Sequence, residues 1–100
     1  MDKVKRLVEA GSSLNGAVRE ILRESTNRLS VSGFALEYGL PRSAIAEALL
    51  GQRSATPALV AALIAELGGN EMEWRALLRD AREAFERAAF AAAEPVAASA

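Results

Sequence analysis

The stretch EYGLPRSAIAEALLGQR, Glu37–Arg53, decides the fold. A run of helix-forming residues halts at Gly39, resumes at Pro41 and halts again at Gly51, which reads as two short helices joined by a tight turn. Gly39 can take a positive φ without a Cβ clash, and that ends the first helix. Pro41 restarts the chain where a missing N–H leaves no helical hydrogen bond unmade. Such a turn needs a small residue where the second helix crosses the first, and Ala35 lies four residues before Gly39. It also needs apolar anchors after the turn, and Leu40, Ile45, Ala48 and Leu49 fall at the right spacing. With those residues buried, Arg42, Ser43, Ala46 and Glu47 make up the outward face of the second helix.

Working outward, every other segment also reads as helix. Ser30 or Ser32 can cap a first motif helix whose inner face is Val31, Phe34, Ala35 and Tyr38. Upstream, DKVKRLVEA sets Val4, Leu7 and Val8 on one face and stops at Gly11. Ser13 then caps LNGAVREILRES, with Leu14, Ala17, Val18, Ile21 and Leu22 at helical spacing. Asn15-Gly16 in its first turn leaves open a start a few residues later. A polar STNR segment, 25–28, links it to the motif.

Downstream, SATPALVAALIAELGG has Thr56 as N-cap and Pro57 as first helical residue. Leu59, Val60, Leu63, Ile64 and Leu67 form its stripe, and Gly68-Gly69 ends it. Asn70 caps a last helix running to about Ala93, with Glu73 in capping-box position. Its inner side is Trp74, Leu77, Leu78, Ala81, Phe85 and Ala88, with Trp74 expected in the core. Its other side pairs Glu71–Arg75, Arg79–Glu83, Arg82–Glu86 and Glu83–Arg87 at i, i+4. Pro95 stops this helix and VAASA is expected to fray. The expectation is an all-α bundle of five to six helices: an N-terminal extension helix over 1–12, a core over 13–69, a long C-terminal helix over 70–93, and a flexible tail over 94–100.

Composition narrows the chemistry. The 100 residues contain no cysteine and no histidine, so disulfides, thiolate or imidazole zinc sites and Cys or His nucleophiles are excluded. Nothing matches a phosphate-cradling glycine loop, a metal cluster or an activated nucleophile, so the chain reads as a non-enzyme without a cofactor. Residues 1–65 carry eight basic and six acidic side chains, giving +2, while 66–100 carry four and seven, giving −3. Any basic face is therefore expected on the first two-thirds of the chain. The charged N-terminus lacks the apolar core of a signal peptide, and no apolar run approaches the roughly 18 residues a membrane span needs. The expected location is the cytoplasm. Abundant arginine and alanine hint at a GC-rich bacterial or phage genome.

A helix held proud of its domain, with polar groups at its exposed N-terminal end, is how a helix-turn-helix presents itself to a DNA major groove. At this level the segment from Ala35 to Gly69 resembles the Cro- and lambda-repressor-like family, often called XRE. The family pattern of Ala, then Gly, an apolar residue, Ser or Thr and Ile is matched by Ala35, Gly39, Leu40, Ser43 and Ile45. The loop and proline-capped helix that follow are matched by Gly51, Arg53, Pro57 and Leu67-Gly68. The resemblance extends over about residues 14–85.

The resemblance implies a lambda-repressor-like fold and a small transcriptional regulator, most simply a repressor, binding double-stranded DNA. It implies that Arg42, Ser43, Ala46 and Glu47 face base edges, and that Ser32, Arg53 and Ser54 approach phosphates. Arg42 would carry most of the direct readout, a bidentate pair to guanine being worth about 1–3 kcal/mol. Two positions depart from the pattern: Val31 stands where the family usually has a polar residue, and Ala46 with Glu47 makes a sparse reading face. With few basic contacts, tight binding is expected to need a homodimer on a palindromic site. The expected interface is Val4, Leu7 and Val8 together with Phe85 and Phe90. The same scaffold also resembles HigA-type antitoxins, which implies a toxin as protein partner with autoregulation. A third reading is a helical interaction protein that no longer binds DNA.

Overall fold

The computed structural model describes residues 1–24 and 30–93. Six α-helices follow one another: α1 (Asp2–Glu9), α2 (Leu14–Glu24), α3 (Val31–Tyr38), α4 (Arg42–Leu49), α5 (Pro57–Leu67) and α6 (Glu71–Ala93), with no strand among the described residues. The protein is an all-α bundle with a long C-terminal helix. No helix among the described residues is long and apolar enough to cross a membrane. The expected 25–28 linker, the Pro95 stop and the tail from 94 lie outside the described residues.

The helix ends follow the capping residues. Ser30, not Ser32, caps α3, its hydroxyl accepting from the Gly33 N–H at 3.1 Å. Thr56 accepts from Leu59 N–H at 3.2 Å, with Pro57 at the first position of α5. Ser13 caps α2 by accepting from Gly16 N–H at 3.1 Å, so this helix starts at Leu14 after all. A Cβ on Gly16 would stand 3.1 Å from that same Ser13 hydroxyl, so the Asn-Gly pair leaves room for the cap. Asn70 caps α6 through Glu73 N–H at 2.9 Å. Glu73 does not return the bond as a capping box would. Its carboxylate pairs with Lys5 of α1, and that hydrogen bond lowers the Glu73 pKa while raising that of Lys5.

One core gathers residues from all six helices, and Trp74, Phe34, Leu22, Ile45, Leu49 and Leu63 are its largest fully buried members. Trp74 is a core residue as expected, and its indole N–H donates to the Gly68 carbonyl at 2.7 Å. Fully burying one such apolar side chain is worth about 1.5–3 kcal/mol, so these contacts supply most of the drive to fold. α1 is part of this core: Val4 is completely buried, with Leu7 and Val8 partly buried against it. Tyr38 ties α3 to α5 by donating to Glu66 at 3.1 Å. Burial first, and then that bond, raises its phenol pKa.

Gly51 does more than end α4. It is buried at a φ of 82°, and a Cβ there would lie 2.2 Å from the Ala81 carbonyl oxygen. The end of α4 is therefore seated directly on the backbone of α6. Beyond that point α6 leaves the bundle, and every residue from Glu83 to Ala93 is exposed. A 23-residue helix is about 34 Å long, which accounts for much of the molecule's 55 Å long axis.

Candidate functional site

The unit around the turn is built as its residues dictate. Gly39 closes α3 in the left-handed region, at φ 64° and ψ 33°. Leu40 N–H then donates to the Ala35 carbonyl at 2.9 Å and Gly39 N–H to Leu36 at 3.3 Å, satisfying the carbonyls at the end of α3. Three residues, Gly39 to Pro41, separate the helices. Pro41 is the N-cap of α4 rather than its first helical residue, with φ −63° and ψ 129°, and Arg42 opens the helix.

α4 is anchored by Ile45, Ala48 and Leu49, all buried, with Leu40 only partly so. On the other face Arg42 and Ser43 are exposed at the N-terminal end, while Ala46 and Glu47 are half-buried. The exposed end has no side-chain cap, leaving first-turn N–H groups without helical partners. An arginine beside them opposes the helix dipole, so the placement of Arg42 is mildly unfavourable for the isolated fold.

The side chains carried over from the family pattern do not all stand apart from one another. Glu47 and Arg53 form an ion pair at 3.2 Å, both about half exposed. A carboxylate expected at base edges and a guanidinium expected at a phosphate therefore partly neutralise each other. Ser54 is exposed beside Arg53, and Ser32 is exposed on α3.

The expected dimer residues divide in two. Val4 lies inside this chain's own core and cannot meet a partner without opening it; Leu7 and Val8 turn most of their surface the same way. α1 uses its apolar stripe within the monomer, and this corrects the expectation for that helix. Phe85 and Phe90 on α6 are 39% and 75% exposed. They stand about 140° apart around the helix axis, at about 100° per residue. Phe85 borders an apolar groove of about 360 Å³ lined also by Val8, Leu14, Leu50 and Leu77.

Two of the four expected Glu–Arg pairs on α6 form: Glu71–Arg75 at 2.7 Å and Arg82–Glu86 at 3.5 Å. Arg79 instead approaches Asp80 at 3.7 Å. Sequence reasoning treated this helix face as solvated surface and missed what the fold brings to it. Arg75, Arg79 and Arg82 line one cleft with Arg53 from the α4–α5 loop. The i, i+4, i+7 spacing of the three α6 arginines was a legible signal; the arrival of Arg53 was not. No group of three or more acidic side chains close enough to hold a metal occurs among the described residues. No protein-family model, curated protein or solved structure matches the chain.

Proposed function

We propose that this protein is a sequence-specific double-stranded DNA-binding regulator of transcription, acting in the cytoplasm and most simply a repressor. The observation that carries the reading is the free N-terminal end of α4: Arg42 and Ser43 exposed, on a helix clamped from behind by Ile45, Ala48 and Leu49. A helix fixed this way can enter a major groove without refolding, and Arg42 has the bidentate geometry that reads guanine. Arg53 and Ser54 lie at the other end of the same helix, in reach of a flanking phosphate. Arg53 must exchange Glu47 for that phosphate, which makes the contact conditional and lowers its net gain.

A single copy offers few cationic contacts, so a homodimer placing two α4 helices about 34 Å apart on a palindromic site supplies the missing affinity. The exposed half of α6 is the surface for it. Beyond the groove at Phe85 the end of α6 has little tertiary support and is marginal in water, and its two exposed phenylalanines would be covered by a second copy. The same exposure fits the alternative, an antitoxin-like protein whose α6 captures a different protein. Sedimentation distinguishes the two: a dimer of the pure chain at tens of micromolar favours the regulator, a strict monomer the hetero-partner.

Selected-site binding across a salt series tests the DNA reading. Arg42→Ala should lose discrimination at one base position. Arg53→Ala should weaken all sites alike and flatten the salt slope by about one unit. Equal, sequence-blind losses from both would contradict these roles.

A further inference from the structure

The arginine cleft lies outside the α4 reading face, and of its lining only Arg53 and Ser54 have a place in the function proposed above; Arg75, Arg79 and Arg82 have none. The cleft holds about 220 Å³. Arg53, Arg75, Arg79 and Arg82 line it with Ser54, over Leu78 as an apolar floor, and no carboxylate lines it. These four are a third of the chain's twelve basic residues, and three of them lie in the C-terminal stretch whose sequence balance is acidic. The fold creates the cluster. Three arginines fall within about 60° of one another on α6, and the α4–α5 loop delivers the fourth because Gly51 lets it sit on the α6 backbone.

We propose that this cleft binds a phosphate group through several guanidinium forks. The counter-charges stand outside it: Glu47, Glu71, Asp80 and Glu86 each approach one arginine, at 3.2, 2.7, 3.7 and 3.5 Å respectively. Of the four arginines only Arg75 makes an intramolecular hydrogen bond among the described residues, to Glu71. A guanidinium has five N–H donors, so most of the donors here remain open to a ligand. The four carboxylates hold like charges close together around the cleft. A tetrahedral dianion in their midst gains charge-assisted, bidentate bonds that a chloride or a single carboxylate cannot match. The Ser54 hydroxyl, which has no hydrogen-bond partner among the described residues, adds a neutral donor. The phosphate could belong to a duplex backbone or to a free phosphate ester, and the chemistry of the cleft is the same for both. The proposal stands whether or not α4 reads DNA.

The test titrates inorganic pyrophosphate into the full chain at low salt, following the arginine Nε–H signals by NMR. The signals of Arg53, Arg75, Arg79 and Arg82 should move together and saturate. The double variant Arg79→Ala/Arg82→Ala should bind at least about tenfold more weakly, the size expected for losing one charge-assisted contact or more. Arg87→Ala, on the same helix but outside the cleft, should bind as wild type does. Glu86→Gln should bind more tightly, a gain that simple damage to the fold does not produce. A linear, non-saturating response shared by Arg87, with no difference between the variants, would overturn the site.

A parallel duplex titration separates the two sources of phosphate. If the cleft takes a backbone phosphate, Arg79→Ala/Arg82→Ala lowers the salt slope of duplex binding by about one unit. Saturable pyrophosphate binding with an unchanged slope assigns the cleft to a free ligand. Saturable pyrophosphate binding with no duplex binding at all removes the DNA reading and leaves the cleft standing.

Discussion

Replacing Gly51 with alanine adds one methyl group at the seam between α4 and α6. The new Cβ would lie 2.2 Å from the Ala81 carbonyl oxygen, 2.6 Å from its carbonyl carbon and 3.0 Å from the Arg82 Cα. All three are backbone atoms of a helix, so no rotamer change relieves the clash and the two elements must separate. The φ of 82° adds left-handed strain of about 1–2 kcal/mol for a residue with a Cβ. Forcing a methyl group into a packed seam adds about 1–3 kcal/mol. The sum, about 2–5 kcal/mol, is a large share of the 5–15 kcal/mol typical of a domain and corresponds to a fall in Tm of about 10–30 °C. Gly39→Ala is the matched control. Its φ of 64° carries the same left-handed strain, but nothing stands within 4 Å of its Cβ, so only about 1–2 kcal/mol should be lost. Thermal and urea denaturation followed by circular dichroism measure both. Equal losses at the two glycines would refute the claim that α4 is seated on the α6 backbone.

Three further outcomes follow from contacts described above. Glu73 titrates below its ordinary range and Lys5 above its own, so their pair stabilises the fold at neutral pH. That stabilisation is lost as pH falls through the lowered carboxyl value or rises through the raised ammonium value. The gap in Tm between wild type and Lys5→Met should therefore be constant across neutral pH and shrink below about pH 4; a gap unchanged at pH 3 would exclude the pair as its source. Trp74→Phe leaves the Gly68 carbonyl without its donor and opens a void, and chemical denaturation should show a loss of about 1–3 kcal/mol. Phe90→Glu should dissociate the proposed dimer by at least tenfold without lowering the stability of the monomer, since Phe90 touches little of its own chain; sedimentation and thermal melts read the two effects separately.

The local signals in this sequence were strong. Gly39, Pro41, Thr56-Pro57 and Asn70 each act locally, through their own backbone or a side-chain cap three residues on, so helix starts and stops could be placed from residue type alone. Ser30 was harder to separate from Ser32, because both stand near the start of α3 and only the N–H of Gly33 decides between them. Long-range consequences were less accessible. Val4, Leu7 and Val8 form an apolar stripe whether a helix faces its own core or a partner, and periodicity does not distinguish the two. Glu47 and Arg53 are six residues apart across a helix end, a separation whose geometry depends on how the loop turns. Gly51 looked like a helix terminator because a positive φ is the local part of its role; its contact with Ala81 is thirty residues away in sequence. The arginine cleft combines both cases, a readable row on α6 and an unreadable visitor from the loop.

The seat of Gly51 on Ala81 also makes α6 a mechanical spine. Its near half carries the end of α4, and its far half stands clear of the globule like a handle. A helix is stiff along its axis, and no loop intervenes between the two halves to absorb a twist. In the proposed dimer, a second copy that covers and so steadies the handle would fix the placement of α4 with it, coupling assembly to the aim of Arg42 through a single rod.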